Sequence, residues 1–138
     1  MTQDASLPLH RGLVAHLQAD LSLKRHLGEP PRILGRPPAG GDAVPCLAFG
    51  DFESRAWRSA AFDGQEHDIT LHLFTGEGGA ERSKEAAGTI IDRLHNADFR
   101  LPGHALVDLQ FESSETRFAE GLSAWHCKLR FKALTVAD

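Results

Sequence analysis

The chain has 138 residues, of which 41% are hydrophobic and 25% charged, with a formal net charge of -4. That length fits one domain spanning residues 1–138 and able to bury roughly two-thirds of its unfolded surface. The mildly acidic balance argues against a protein whose main task is gripping nucleic acid, because such domains carry a basic excess. Cys46 and Cys127 lie far apart and form no CxxC pair, which argues against a disulfide framework or a cysteine metal site. Both read as small buried hydrophobes. Residues 1–6 show no basic segment leading into an apolar core, and no run of about 18 apolar residues occurs anywhere. Neither a signal peptide nor a membrane span is expected. Residues 1–6 and 136–138 read as loose ends.

The first element is a helix over residues 7–19, with Ser6 as its cap, Pro8 in the first turn, and Leu9, Leu13, Leu17 and Leu21 repeating every four. A shorter helical turn over 20–27 follows, ended by Gly28. His10, His16 and His26 share neither a face nor a ligand spacing. Residues 28–45 are punctuated by Pro30, Pro31, Pro37, Pro38 and Gly40-Gly41. They read as a surface loop in which any strand is limited to residues 32–34. The first full strand runs over 44–50 with Leu47 and Phe49 on one face. Residues 51–61 read as a polar connection holding Trp57 between Arg55 and Arg58. That tryptophan either meets a partner or covers the rim of its own core.

Residues 62–94 organise the chain. His67 to Phe74 alternate with period two, and Ser83, Ala87, Ile90, Ile91 and Leu94 then share a helical stripe. A strand therefore feeds a helix, over about 80–97, that packs back on its own sheet. His67 and His72 are five apart and project to opposite faces of the strand. The glycine-rich residues 75–79, with Glu77 at their centre, fit neither G-x-x-x-x-G-K-[ST] nor G-x-G-x-x-G. They read as the turn from strand to helix. Asn96 to Gly103 form a turn with Phe99 and Leu101 beneath it.

The last third alternates most clearly, with Val107, Leu109 and Phe111 on one strand and Trp125, Cys127, Leu129, Phe131 and Ala133 on the next. A hairpin loop over 114–121 places Arg117 and Phe118 at its tip. A register centred on Ala119 sets Val107 against Phe131 and Leu109 against Leu129, with Asp108 against Arg130 and Glu112 against His126 outside. Lys132 then lacks an acidic partner. The predicted fold is α+β: an antiparallel or mixed sheet of about four strands, two main helices on one face, in the order α-β-β-α-β-β. No G-x-S-x-G, H-E-x-x-H or H-x-E…C-x-x-C pattern occurs, so no catalytic, cofactor or metal site is expected.

With its elements in this order the chain resembles the small tail-completion proteins of long-tailed bacteriophages and gene transfer agents, the tail-terminator family. The resemblance runs from about Leu9 to Thr135. It rests on the leucine-rich first helix ending at Leu27-Gly28, the Val44-Pro45…Phe49-Gly50 strand entry, Phe62 to His67 leading into Leu71-His72-Leu73, Leu109 to Ser113, and the closing Leu129 to Leu134. Cys46 and Leu34 stand where relatives often place aromatics. The resemblance implies a structural, non-enzymatic virion protein assembled in the bacterial cytoplasm. It implies a ring of copies, usually a hexamer, on the head-proximal end of the tail tube. Such a ring ends tube polymerisation, meets the head connector, and lets DNA pass without reading it. Arg55, Trp57, Arg58, Glu77, Arg117, Phe118 and Lys132 are the candidate interface residues. A non-enzymatic binding module in a cellular complex, or a small hydrolase-type enzyme, are the alternatives.

Overall fold

A computed structural model describes residues 4–58, 63–76 and 78–138. Helix α1 (Ser6–Gln18) leads through a 3-10 turn, Leu21–Leu23, into the four-residue helix α2 (Lys24–Leu27). Strands β1 (Ile33–Leu34), β2 (Cys46–Arg58) and β3 (Asp63–Thr75) follow, then helix α3 (Gly79–Leu94) and strands β4 (His104–Ala119) and β5 (Ala124–Ala137). The class is α+β. The sheet is mixed and has five strands in the order β1-β2-β3-β5-β4, where about four were expected, and α2 adds a third helix. The fifth strand is minimal: Ile33 and Leu34 pair in parallel with Leu47 and Ala48, between proline clusters that forbid anything longer. The other pairs, β2–β3, β3–β5 and β5–β4, are antiparallel.

Alternation along the central strands explains the layers. β3 turns His67, Ile69, Leu71, Leu73 and Thr75 to one face, and β5 turns Cys127, Leu129, Phe131, Ala133 and Thr135 to the same face; all are buried. Leu9, Leu13 and Leu17 of α1 and Ala86, Ala87, Ile90 and Leu94 of α3 close the same cluster, so both long helices cover one face. Each fully buried leucine contributes about 1.5–3 kcal/mol relative to exposure. Gly12 permits the close fit of α1 to the 96–103 turn. A Cβ there would stand 2.8 Å from both Leu101 Cδ2 and Phe99 Cε2.

The start of α1 is held differently from the expectation. Ser6 is not its cap. Asp4 Oδ1 accepts the Ser6 N–H at 2.9 Å, and Gln65 Oε1 of β3 accepts the Ala5 N–H at 2.6 Å. The second bond fastens the helix to the sheet, and the first, with a bond from Gln65 Nε2 at 3.3 Å, holds the Asp4 carboxyl below its ordinary range. Between β3 and α3 the chain turns on Gly78 and Gly79, whose φ values of 109° and 71° lie in the left-handed region. At the other end, β5 runs through Ala137, and the Asp138 N–H bonds the Gly103 carbonyl at 3.1 Å.

Two further expectations are corrected. Residues 51–58 are not a connection but the second half of β2. A bulge places Gly50 and Asp51 together opposite the gap between Leu71 and Ile69, so Phe52 and Ser54 regain the buried face with changed parity. That break in alternation is what imitates a loop. The β4–β5 hairpin is also longer and differently registered. Val107 and Glu112 are bulged out, Leu109 opposes Ala133, Phe111 opposes Phe131, and the turn falls at Glu120–Leu122. Val107 therefore faces solvent, and Asp108 opposes Leu134, not Arg130.

Candidate assembly interface

The sheet face away from the helices is charged, and β2, β3, β5 and β4 build it from their alternate residues. Arg55, on the β2 side of this face, gathers its carboxylates. Its guanidinium donates to Asp68 Oδ2 at 2.8 Å and to Glu66 Oε1, with Glu53 3.6 Å away along the same strand. Paired strands bring these groups together, since Arg55 opposes Glu66 and Glu53 opposes Asp68. The bond from Arg55 holds the Asp68 carboxyl below its ordinary range, and the two carboxylates raise the guanidinium further above neutrality. Lys132 is not without an acidic partner, as its hairpin pairing had suggested. Its Nζ lies 3.6 Å from Glu66 and 4.0 Å from Glu112, two residues beyond Gln110, which Lys132 opposes.

Trp57 opposes Gly64 on this face, and a Cβ on that glycine would stand 2.8 Å from Trp57 Cε3 and 2.6 Å from the Thr135 carbonyl oxygen. The indole thus lies half-buried over a bare stretch of β3, covering its own sheet. Arg58 ends β2 opposite Asp63; its side chain, like all of Glu77, lies outside the described residues. Arg117 and Phe118 belong to the last turn-proximal residues of β4, not to a loop tip. Arg117 donates to Glu115 two residues earlier. Phe118 is 48% exposed and meets Trp125 edge-on, with ring centroids 5.5 Å apart.

Sequence reasoning missed a second feature of the outer face. His72 Nδ1 and His126 Nε2 share a hydrogen bond at 2.7 Å, and the His126 ring stacks on Phe74 at 4.6 Å. Burial pushes both imidazoles down. Only the β3–β5 register joins these histidines, and no spacing in the sequence announces it. His67 projects to the opposite face, as its odd separation from His72 requires. There it bonds Ser54 Oγ at 2.7 Å and Thr135 Oγ1 at 2.9 Å. Among the described residues, no group of three or more His, Cys, Asp or Glu side chains is arranged to hold a metal ion. No described helix is long and apolar enough to cross a membrane. Cys46 and Cys127 are free and buried, and burial pushes both thiols up.

The interface candidates therefore divide by place. Arg55, Trp57 and Lys132 sit within the charged sheet face. Arg117 and Phe118 sit on the outer edge strand, near the turn into β5.

No curated protein matches the sequence significantly. Among solved structures, the fold is similar to a chain in "Virion of native gene transfer agent (GTA) particle", with a TM-score of 0.84 and 24% identity. The match covers 99% of this chain and 100% of that one. At that identity the likeness speaks for the fold. The family model described as "Tail completion protein gp17" matches residues 11–136, from the second turn of α1 to the last turn-distal residues of β5. The chain belongs to that tail completion family.

Proposed function

We propose that this chain is a structural, non-catalytic tail protein of a phage-like particle, acting as one domain over residues 1–138. It closes into a hexameric ring on the head-proximal end of the tail tube, ends tube polymerisation, and joins the tail to the head connector. The observation that carries this reading is the family match, which takes in most of α1, all of α3 and nearly all of the four long strands. Surface chemistry supports it. Arg55, Arg117 and Lys132 each have a carboxylate within ion-pair distance. Pairing of these three cations suits a conduit through which DNA slides, since phosphate binding draws on unpaired cations and counterion release. The helix-covered face supplies stability, and the second face and the sheet edges are left for neighbours.

Localisation tests this directly. Gold-labelled antibody against the chain is applied to purified particles and viewed by electron microscopy. Label concentrated at the junction of head and tail is the expected result. Label spread along the tube, confined to the distal tip, or absent from particles contradicts the reading.

A further inference from the structure

β2 and β4 form long edges of the sheet, and among the described residues each is open over part of its length. β1 covers β2 only at Leu47 and Ala48, which leaves residues 49–58 with a single neighbour, β3. On β4, the Leu109 carbonyl accepts the Asn96 N–H at 2.7 Å and His95 Nδ1 accepts the Phe111 N–H at 3.0 Å. Beyond that cover, residues 113–119 pair only with β5. Unpaired edges of this length are templates for strand addition unless something blunts them.

The two open segments are complementary in one register. Along the outer face β2 presents Glu53 then Arg55, and β4 presents Glu115 then Arg117. Set antiparallel, each carboxylate meets a guanidinium: Glu53 opposite Arg117, and Arg55 opposite Glu115. On the helix-side face the same register lays Phe118, 48% exposed, against Phe52. Phe52 lines a shallow cleft with Leu7 and His10, and Leu7 is itself 53% exposed. A slip of two residues either way opposes Arg55 to Arg117 or Glu53 to Glu115, so charge selects this register.

Topology supplies the direction. β2 is antiparallel to β3, β3 to β5 and β5 to β4, so the two edge strands run opposite ways. A second copy added by rotation, with its strands kept in the same sense, therefore meets the first with β4 and β2 antiparallel. The contact is head-to-tail, the kind that closes into a ring. Phe49, Leu71, Leu129 and Ser114 share one row across the sheet. Pairing Glu115 with Arg55 consequently staggers successive copies along the strands, as closed sheets require.

We propose that copies of this chain join by adding residues 113–118 of β4 to residues 52–57 of β2 in the next copy, with Glu115 opposite Arg55 and Phe118 against Phe52. The proposal rests on the ring reading above and names its subunit contact.

Cysteine pairs test the register. Ala56→Cys with Ser114→Cys, and separately Glu53→Cys with Arg117→Cys, are opposed in it, one pair on each face, and all four positions are exposed. The native thiols are buried and do not compete. Each pair is placed in the producing strain, and particles are purified, oxidised and run on non-reducing gels. At least one pair gives a ladder of cross-linked multimers ending at a closed ring, while each single-cysteine variant stays monomeric. Dimers from Ser114→Cys or Arg117→Cys alone indicate two-fold pairing of β4 with itself and overturn the proposal. Absence of cross-links from both pairs, in particles whose tails are normal and joined, overturns it while leaving the tail-completion reading intact. If the chain is absent from particles, that reading fails instead. The same gel on concentrated purified protein then decides the edge contact, with a ladder supporting it and monomer alone overturning it.

Discussion

His67 Nε2 lies 2.9 Å from Thr135 Oγ1, a hydrogen bond between β3 and β5 on the buried face of the sheet. With Ser54 Oγ on its other nitrogen, the neutral ring is fully satisfied, and burial pushes its pKa from 6.5 down to about 4. The folded value lies below the unfolded one, so the unfolded chain binds the proton first. The stabilisation is complete above about pH 6.5 and is lost as pH falls from there through about 4. The full shift corresponds to about 3 kcal/mol. His72 and His126, also lowered, act in the same direction. Urea unfolding measured between pH 7 and 4 shows stability falling with acid, and His67→Gln flattens part of that fall. An unchanged slope in the variant contradicts the assignment.

Gly64 is required by its neighbours. A Cβ there meets the Thr135 carbonyl oxygen at 2.6 Å, and backbone in the middle of a sheet cannot retreat cheaply. Gly64→Ala is expected to cost about 1–3 kcal/mol in urea unfolding, the usual range for overpacking. A neutral effect shows that the β3–β5 spacing is looser than described.

Trp57→Ala removes the indole that covers Gly64 and is expected to cost about 1 kcal/mol, as lost cross-strand packing does. Stability is read by chemical unfolding and incorporation by particle composition. A variant with unchanged stability that fails to enter particles reassigns Trp57 from its own sheet to a neighbour.

Phe131 and Phe118 separate core from surface within the same hairpin. Phe131→Ala is expected to cost about 3–5 kcal/mol, because the ring is 1% exposed and packs edge-on against Phe111. Phe118→Asp forfeits chiefly one edge-on contact with Trp125, about 1 kcal/mol, and leaves the monomer folded. Circular dichroism on both variants, with particle yield for Phe118→Asp, checks the contrast. Unfolding of Phe118→Asp makes it a core residue.

Much of the fold was legible because burial enforces periodicity. Leu9, Leu13 and Leu17, the alternation from His67 to Phe74, and the stripe from Ser83 to Leu94 are each dictated by one buried face. Periodicity failed where a bulge intervened. Gly50-Asp51, Val107 and Glu112 each add a residue to one strand, reversing parity, so a strand looked like a connection and the hairpin register slid. β1 was too short to show a pattern, and its pairing with β2 is set by tertiary placement. Charged contacts were the least legible. The grouping of Arg55 with Glu66 and Asp68, the approach of Glu112 to Lys132, and the bond between His72 and His126 depend on strand order and bulges, which side-chain spacing does not encode.

The central claim is that this chain ends tail polymerisation and joins tail to head. Its most direct test is the tail-length distribution, from electron micrographs, of particles made by a strain lacking the gene. Overlong tubes, or separate heads and tails, restored to normal by supplying the chain, are the expected result. Normal-length tails on normal heads would contradict it.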